Sequence, residues 1–264
     1  MIKIEIQNAT LGYGDIDVVK EVALAAKPGE MIGLVGPNGS GKSTIIKALS
    51  RIITPHSGRV LVNGRDIGAI PRRELSLMVG VVPQTPLLPS AYTAFEIVLM
   101  GRSPHLGLFQ YESKHDLEIA WWAMERTSTQ HLADRRVGEL SGGEIQSVII
   151  ARVLAQETEI VLLDEPTANL DIGRQIEVLN LIKGLCRQEN KLTAVVALHD
   201  LNLASHYCDR LVLIHNGRIH AEGRPAAVIT AENIEEVYGS GSYVHTHPLS
   251  GLPAVLPRVD YTKN

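Results

Sequence analysis

A glycine-rich segment at positions 36–43 restricts the fold of this chain more than any other part of the sequence. It reads GPNGSGKS, follows the apolar run Met31–Val35 and precedes apolar residues at helical spacing. The pattern GxxxxGK[ST] between a strand and a helix is typical of phosphate-binding loops, because glycines let backbone N–H groups turn towards phosphate oxygens. The sequence therefore predicts that Lys42 contacts the β- and γ-phosphates of a nucleotide and that the Ser43 hydroxyl ligates Mg²⁺. The predicted nucleotide-binding residues here are Gly36, Pro37, Asn38, Gly39, Ser40, Gly41, Lys42, Ser43 and Thr44.

The apolar pattern along the chain favours an α/β fold. Short apolar runs predict strands at Ile2–Ile6, Val22–Ala25, Met31–Val35, Arg59–Val62, Met78–Val82, Ile160–Leu163 and Ala194–Leu198. Helical spacing predicts helices from Lys42 (with Ile45, Ile46, Leu49, Ile52 and Ile53 on one face), at Ala94–Met100, at His115–Thr127, from near Gly142 and at Ile172–Cys186. The last two of those strands are apolar without alternation, as expected in a parallel sheet covered on both faces. Alternating strands and helices predict an α/β core around such a sheet.

Two acidic residues follow one of these strands directly. Asp164 and Glu165 come at the end of Ile160–Leu163, and α/β sheets bind ligands at the carboxyl ends of their strands. Asp164 is therefore predicted to hold Mg²⁺, directly or through water, and Glu165 to act as the general base on the attacking water. The alternative is an acidic pair before Pro166 that only ends the strand and caps the next helix.

The segment Leu140–Glu144, LSGGE, distinguishes this chain from other enzymes with a phosphate-binding loop. It resembles the signature motif of ABC ATPases and lies between the glycine-rich loop and the acidic strand, as in that family. Its serine can cap a helix while its glycines expose backbone N–H groups at the positive helix end. The resemblance implies that Ser141, Gly142, Gly143 and Glu144 cover the γ-phosphate bound by a second copy, so that two ATP molecules lie between two chains.

Four further residues stand where ABC ATPases carry functional groups. Tyr13 resembles the aromatic residue that stacks on adenine, and Gln84 resembles the glutamine that touches Mg²⁺ and water. Asp171, in the segment ANLD at 168–171, resembles the loop that communicates across the dimer, and His199 resembles the switch histidine at the γ-phosphate. Taken alone, Tyr13 suits packing and Asp171 suits a helix cap. One departure is IQSV at 145–148, where the family commonly carries a basic residue.

The resemblance implies both a fold and a set of roles. The expected fold is a P-loop NTPase (ABC ATPase) core with a parallel sheet, an N-terminal antiparallel β part and a mainly helical subdomain insert. Residues 1–238 would form one domain, with the insert at about 84–155 of a RecA-like core, and 239–264 would form a C-terminal extension. The implied catalytic residues are Glu165, His199, Gln84 and Lys42, and the implied magnesium ligands are Ser43, Gln84 and Asp164.

Composition limits the partners. A net charge of −4 gives no electrostatic basis for nucleic-acid binding, and the chain has no run of roughly 18 apolar residues that could span a bilayer. A membrane role would therefore need a partner. The resemblance implies a second copy of the chain, multi-span permease subunits and, indirectly, a solute-binding protein. It places the chain at the cytoplasmic face of the cell membrane as a peripheral subunit.

Looser segments indicate which ABC protein this is. Leu99–His105, the pair Trp121 and Trp122, and His131–Asp134 resemble ATPase subunits of metal-chelate importers, whose solutes are iron-siderophore, haem or cobalamin. The tail Ser242–Pro257 resembles the extension of the same group. An importer ATPase for another solute and a soluble ABC ATPase of an assembly pathway remain alternatives. His245 and His247 alternate in this tail, but two histidines alone are a weak chelate.

Overall fold

The computed structural model describes residues 2–107, 109–168, 170–188, 192–239 and 241–258. The strands are β1 (Ile4–Tyr13), β2 (Ile16–Ala26), β3 (Met31–Val35), β4 (Ser57–Val62), β5 (Arg65–Asp66), β6 (Val79–Val82), β7 (Ile160–Asp164), β8 (Thr193–Ala197), β9 (Arg210–His215), β10 (Arg218–Gly223), β11 (Ser242–Thr246) and β12 (Pro253–Pro257). The α-helices are α1 (Lys42–Leu49), α2 (Arg72–Met78), α3 (Ala94–Leu99), α4 (Lys114–Arg126), α5 (Gly142–Ala155), α6 (Ile172–Arg187), α7 (Leu201–Tyr207), α8 (Pro225–Val228) and α9 (Ala231–Tyr238).

A mainly parallel sheet forms the centre of the fold, in the order β10-β9-β3-β8-β7-β6. Strands β3, β7 and β8 are buried at every position, which explains why their sequences do not alternate. Because β6, β7, β8 and β3 run parallel, their carboxyl ends lie along one edge of the sheet. The predicted α/β fold with a parallel sheet is confirmed.

A second, antiparallel sheet has the order β2-β1-β4-β5, which confirms the predicted N-terminal β part. Its first strands are longer than the prediction, which ended β1 at Ile6 and confined β2 to Val22–Ala25. The register shifts between Ile6 and Ala9, where Asn8 has a φ of 42°. Such a bulge interrupts the two-residue alternation that reveals a strand in sequence, so the pattern missed the continuation.

Helix α1 is shorter than its apolar spacing predicted. It ends at Leu49, and Arg51 adopts a φ of 57°. Ile52 therefore leaves the buried face and is 64% exposed. The prediction that Ile52 continues this face is wrong, because the spacing of apolar residues does not reveal where the backbone leaves the helix.

Three helices between β6 and β7 pack on one another, and each starts with a capping box. The caps are Thr93 for α3, Ser113 for α4 and Ser141 for α5, with an acidic partner three residues later in each case. Each box satisfies backbone N–H groups that a helix start otherwise leaves unpaired. Short 3-10 helices connect this region at Met100–His105, Gln130–Leu132 and Val137–Glu139.

The described part of the C-terminal tail is folded, although its sequence indicated no fold. Strands β11 and β12 form an antiparallel hairpin, with Val244 opposite Val255. The hairpin packs against α7 and α9. Among the described residues, no helix is long and apolar enough to cross a membrane.

Candidate functional site

The glycine-rich loop connects the carboxyl end of β3 to the first turn of α1. Gly36 has a φ of 147° and Gly41 a φ of 111°, a region that favours glycine. A Cβ on Gly36 would lie 2.2 Å from the carbonyl oxygen of Ile214, and one on Gly41 would lie 2.3 Å from a methyl carbon of Val19. Both glycines are therefore required for this close backbone path. Among the described residues no side chain caps α1, so its first N–H groups are available to an anion.

Two polar side chains in this loop suit a phosphate. Lys42 is only 4% exposed, and its Nζ donates to the carbonyl oxygens of Gly36 (2.8 Å) and Pro37 (3.0 Å). Burial lowers the pKa of the Lys42 ammonium, although Glu165 and Asp164 oppose this shift. The Ser40 hydroxyl is buried without a hydrogen-bond partner among the described residues. A buried hydroxyl and a buried ammonium in one loop match the donor set that a nucleotide phosphate requires.

Asp164 lies at the carboxyl end of β7 and faces α1. Its Oδ1 accepts a hydrogen bond of 2.8 Å from the Ser43 hydroxyl. Burial raises the pKa of the Asp164 carboxyl and Glu165 adds to this effect, while Ser43, Lys47 and Lys42 counteract it. A hydroxyl beside a carboxylate is the kind of oxygen pair that Mg²⁺ prefers, and the cation would relieve the cost of the buried charge.

Glu165 is held by groups from two neighbouring strands of the sheet. Its Oε2 accepts from Gln84 Nε2 at 2.7 Å, and its Oε1 lies 2.5 Å from His199 Nε2. Gln84 follows β6 and His199 follows β8, the strands on either side of β7. Glu165 is 8% exposed and has a φ of 53°, an uncommon conformation that points to a functional constraint. The structure thus brings together three of the four residues predicted to be catalytic, namely Glu165, Gln84 and His199.

Tyr13, at the end of β1, contacts a residue that the sequence analysis did not select. Lys47 Nζ lies 3.2 Å from the Tyr13 hydroxyl and 5.3 Å from the centre of its ring. The same lysine lines a small cleft with Gln84 and Asp164. Lys47 is four residues after Ser43 on α1, and this spacing on one helix face was the signal that could have identified it. Tyr13 is 44% exposed, so its face is open to a ligand, and stacking on adenine stays a prediction.

The signature segment does not join the glycine-rich loop within one chain. Ser141 caps α5: its hydroxyl accepts from the Glu144 N–H at 3.3 Å, and Glu144 Oε2 accepts from the Ser141 N–H at 2.7 Å. This bond and the Ser141 hydroxyl lower the pKa of the Glu144 carboxyl, and Arg135 lowers it further. The segment lines a cleft of about 530 Å³, and none of the residues described along it belongs to the loop at 36–43.

Asp171 lies on the wall of the same cleft and caps α6, because its Oδ1 accepts from the Arg174 N–H at 2.9 Å. Asp171 thus forms the helix cap that the sequence analysis gave as its alternative role. Its role in communication between two copies stays a prediction. Asn169 in the same segment lies outside the described residues. Within the described ranges, no three or more His, Cys, Asp or Glu side chains are grouped to hold a metal ion.

Comparisons with known proteins agree with this geometry. The family model described as "ABC transporter" matches residues 19–168. The ferric enterobactin transport ATP-binding protein FepC of Escherichia coli (strain K12) is 41% identical over 95% of this chain and 92% of its own length. A solved structure described as a metal-chelate type ABC transporter in an inward-facing conformation has a TM-score of 0.82 at 28% identity, covering 98% of both chains. The dimeric cassette MJ0796, bound to ADP and Pi after hydrolysis, has a TM-score of 0.75 at 28% identity, covering 84% of this chain and 98% of its own.

Proposed function

The chain belongs to the ABC transporter family, and from that premise we propose that it is the ATP-hydrolysing subunit of a metal-chelate importer. The observation that carries the hydrolytic part is the contact of Glu165 with both Gln84 and His199 beside the Ser43–Asp164 pair. These groups come from four elements and meet at one edge of the sheet. A general base, a magnesium site and a phosphate loop in one place fit the hydrolysis of a nucleoside triphosphate.

The residues divide the chemistry between them. The loop at 36–43 and Lys42 would bind the β- and γ-phosphates, and Ser43 with Asp164 would hold Mg²⁺. When bound, Mg²⁺ neutralises negative charge that develops on the phosphate oxygens. The Glu165 carboxylate would accept the proton of the attacking water. Gln84 would orient that water and contact Mg²⁺, and His199 would contact the γ-phosphate while fixing the Glu165 carboxylate.

A second copy would complete each site. In one chain the α5 N-terminus with Ser141, Gly142 and Gly143 opens onto a cleft apart from the glycine-rich loop. These N–H groups would therefore be free to meet the γ-phosphate that the second copy binds. A dimeric structure of the related cassette MJ0796 with ADP and Pi supports this arrangement. Closure of two copies on two ATP molecules would be the driving event, since ATP would bind the closed state more tightly.

The permease would bind in a groove beside Gln84. Two clefts of about 210 and 400 Å³ share Ile52 and Val81 and follow β6, the edge strand of the central sheet. Ile52 is 64% exposed, and Leu87 after Gln84 is 95% exposed. Exposed apolar side chains beside an open groove suit a partner surface. The helical insert at about 84–155 would move with Gln84 and transmit closure to cytoplasmic loops of the permease, holding this subunit at the membrane.

The solute class is proposed by likeness. FepC serves ferric enterobactin transport, and the structural neighbour that covers 98% of this chain is of metal-chelate type. A solute-binding protein would select the chelate and deliver it to the permease. An importer for another solute or a soluble ABC ATPase of an assembly pathway would share the same hydrolytic site.

A pull-down of the tagged chain from detergent-solubilised membranes tests the proposal. We expect a multi-span permease together with a solute-binding protein, identified by mass spectrometry, whose chelate can then be assayed. Ile52→Asp should weaken permease capture, whereas Leu249→Asp should not, since Leu249 is even more exposed but lies outside the groove. Capture of soluble proteins alone, by a chain that still hydrolyses ATP, would contradict the importer and favour the assembly-pathway ATPase.

A further inference from the structure

Helix α7 connects the hydrolytic site to the C-terminal hairpin. His199, whose Nε2 contacts Glu165, directly precedes Asp200, the N-cap of this helix. Asp200 Oδ1 accepts from the N–H groups of Asn202 (2.7 Å) and Leu203 (3.0 Å). On the other side of His199, the Leu198 N–H donates to Leu34 on β3 at 3.0 Å. The backbone of His199 is therefore fixed by β3 on one side and by the start of α7 on the other.

The hairpin bonds to one face of α7. The amide of Asn202 pairs with the backbone of Val255 on β12: Oδ1 accepts from the Val255 N–H at 2.7 Å, and Nδ2 donates to the Val255 carbonyl at 3.2 Å. Ser205, one turn further on, is 1% exposed and donates to the Pro253 carbonyl at 2.8 Å. Residues three apart share a helix face, so both side chains reach the same strand.

A third contact lies on the same side. His206 Nδ1 donates to the Asn202 carbonyl at 2.9 Å, and its Nε2 lies within hydrogen-bond distance of the Ser250 hydroxyl, 3.2 Å away. The rings of His206 and His247 meet edge to face with centres 5.1 Å apart. These hydrogen bonds therefore extend from the start to the end of α7. On the hairpin they involve β12 and the turn that connects β11 to β12.

The opposite face of α7 packs on the central sheet. Ala204 is fully buried, and the helix packs against β3. A helix of seven residues is not stable by itself in water, so its position depends on what holds it on both faces. One face is held by β3 and the other by the hairpin, and the N-terminal end of this helix sets the backbone that carries His199.

We propose that the C-terminal hairpin positions His199 against Glu165 through α7, with Asn202 as the principal positioning residue. This inference rests on the proposed roles of Glu165 and His199, and it assigns a function to the extension that follows the catalytic domain. Loss of the Asn202–Val255 pair lets the first turn of α7 shift, and a displacement of about 1 Å at a catalytic group can lower a rate by about a hundredfold.

Asn202→Ala in the full-length chain tests the proposal through steady-state ATP hydrolysis. We expect kcat to fall roughly ten- to a hundredfold with KM for ATP changed less than about twofold. Asn202→Asp retains the acceptor for the Val255 N–H, so its kcat should fall less than that of Asn202→Ala. Leu249→Ala is the matched control, since Leu249 is 93% exposed on the same hairpin and makes no side-chain hydrogen bond.

A double-mutant cycle with His199→Ala separates positioning from plain stability. If Asn202 acts through His199, Asn202→Ala has little further effect in the His199→Ala background. Equal fold-losses in both backgrounds, or an unchanged kcat in folded Asn202→Ala, would overturn the inference. If Asn202→Ala does not fold, the same double-mutant cycle with Ser205→Ala tests whether the contact between α7 and the hairpin acts through His199. Full hydrolysis by His199→Ala would instead contradict the proposed role of His199, so the two failures are distinguishable.

Discussion

Two neighbouring carboxyl groups, Asp164 and Glu165, have different surroundings although they are adjacent in the chain. Asp164 ends β7 and faces the Ser43 hydroxyl, whereas Glu165 turns away with a φ of 53° towards Gln84 and His199. Two chemically similar carboxyl groups thus have surroundings that suit different tasks. In the proposed function, Asp164 would hold a cation and Glu165 would act on water.

Replacing Glu165 by Gln should stop turnover and leave ATP binding intact. The amide retains the shape of the side chain but cannot accept the proton of water, so we expect hydrolysis to fall at least roughly a hundredfold. Phosphate release and ATP affinity, measured on the same preparation, check this prediction. Glu177→Gln is the control, because its side chain is 64% exposed and lies outside the site. Normal hydrolysis by Glu165→Gln would contradict its assignment as base.

Asp164→Asn should stabilise the nucleotide-free protein while removing Mg²⁺-dependent ATP hydrolysis. Burial raises the pKa of Asp164, so the native state retains this proton to higher pH than the unfolded chain does. The carboxyl therefore costs stability as pH rises through its folded pKa, and the cost is absent below its unfolded value. Asn keeps an oxygen for Ser43 and carries no charge.

Thermal unfolding across pH measures this effect. At pH 7 we expect the melting temperature of Asp164→Asn to lie above that of the unmodified chain. The difference in melting temperature from the unmodified chain should narrow as the pH falls towards the unfolded-state pKa of the carboxyl, about 4. Asp15→Asn, at an exposed position, should change neither the melting temperature at pH 7 nor its dependence on pH. A fall in melting temperature for Asp164→Asn would show that the carboxylate stabilises the empty site.

At the scale of elements, a buried ion pair joins α4 to the end of α5. Arg102 is 3% exposed; it donates to Asp116 Oδ1 at 2.9 Å, to the Ala155 carbonyl at 2.7 Å and to Glu157 Oε2 at 2.7 Å. Hydrogen bonds from Ser113 lower the pKa of the Asp116 carboxyl most, and Arg102 adds to this effect. A lowered pKa means that this contribution to stability is present near neutral pH and is lost as pH falls below about 4.

Arg102→Met should therefore destabilise the protein strongly. It leaves the Asp116 carboxylate buried without its cation, which typically costs about 3–5 kcal/mol. Chemical denaturation at pH 7 measures the free energy of unfolding. Arg65→Met serves as the control, because its ion pair with Glu74 is exposed and contributes little. Equal stabilities of the two variants would show that the buried pair does not hold α4 in place.

The helices of this region also show which structural features local sequence patterns could predict. The capping boxes at Thr93, Ser113 and Ser141 are local patterns, and the helices that follow start within one or two residues of the predicted positions. The end of α1 and the length of β1 were not predicted, because Arg51 and Asn8 adopt left-handed backbone angles that apolar spacing does not encode. Local signals thus identified elements better than they identified where elements end.

At the scale of the whole molecule, two halves of the predicted site face different clefts. The signature segment lines one cleft, and none of the residues described along it belongs to the glycine-rich loop, whereas Gln84 and Asp164 line another. In the proposed dimer, one molecule would hold one half of each of two sites and its partner the other half.

Ser141→Arg in the Glu165→Gln background should prevent ATP-driven dimer formation. The larger charged side chain would fill the cleft beside Gly142, and the lost cap costs the fold only about 1 kcal/mol. Size-exclusion chromatography with light scattering, with and without ATP, measures the change in mass. Ser103→Arg, an exposed serine on another surface, should still dimerise. An ATP-dependent dimer of the Ser141→Arg variant would contradict the composite site.

The sequence alone determined the glycine-rich loop, the residue types of the hydrolytic site and most strands and helices up to β8, because these depend on periodicity and local patterns within a few residues. It did not predict β5, α2 or the elements that follow β8. Only the tertiary structure decided which of these groups meet. Gln84 lies 81 residues from Glu165, and Asn202 lies 53 residues from Val255. Such contacts depend on strand order and on the packing of α7, and no local pattern carries that information. For the same reason the tail had no predicted fold, since the hairpin takes its position from hydrogen bonds to a distant helix.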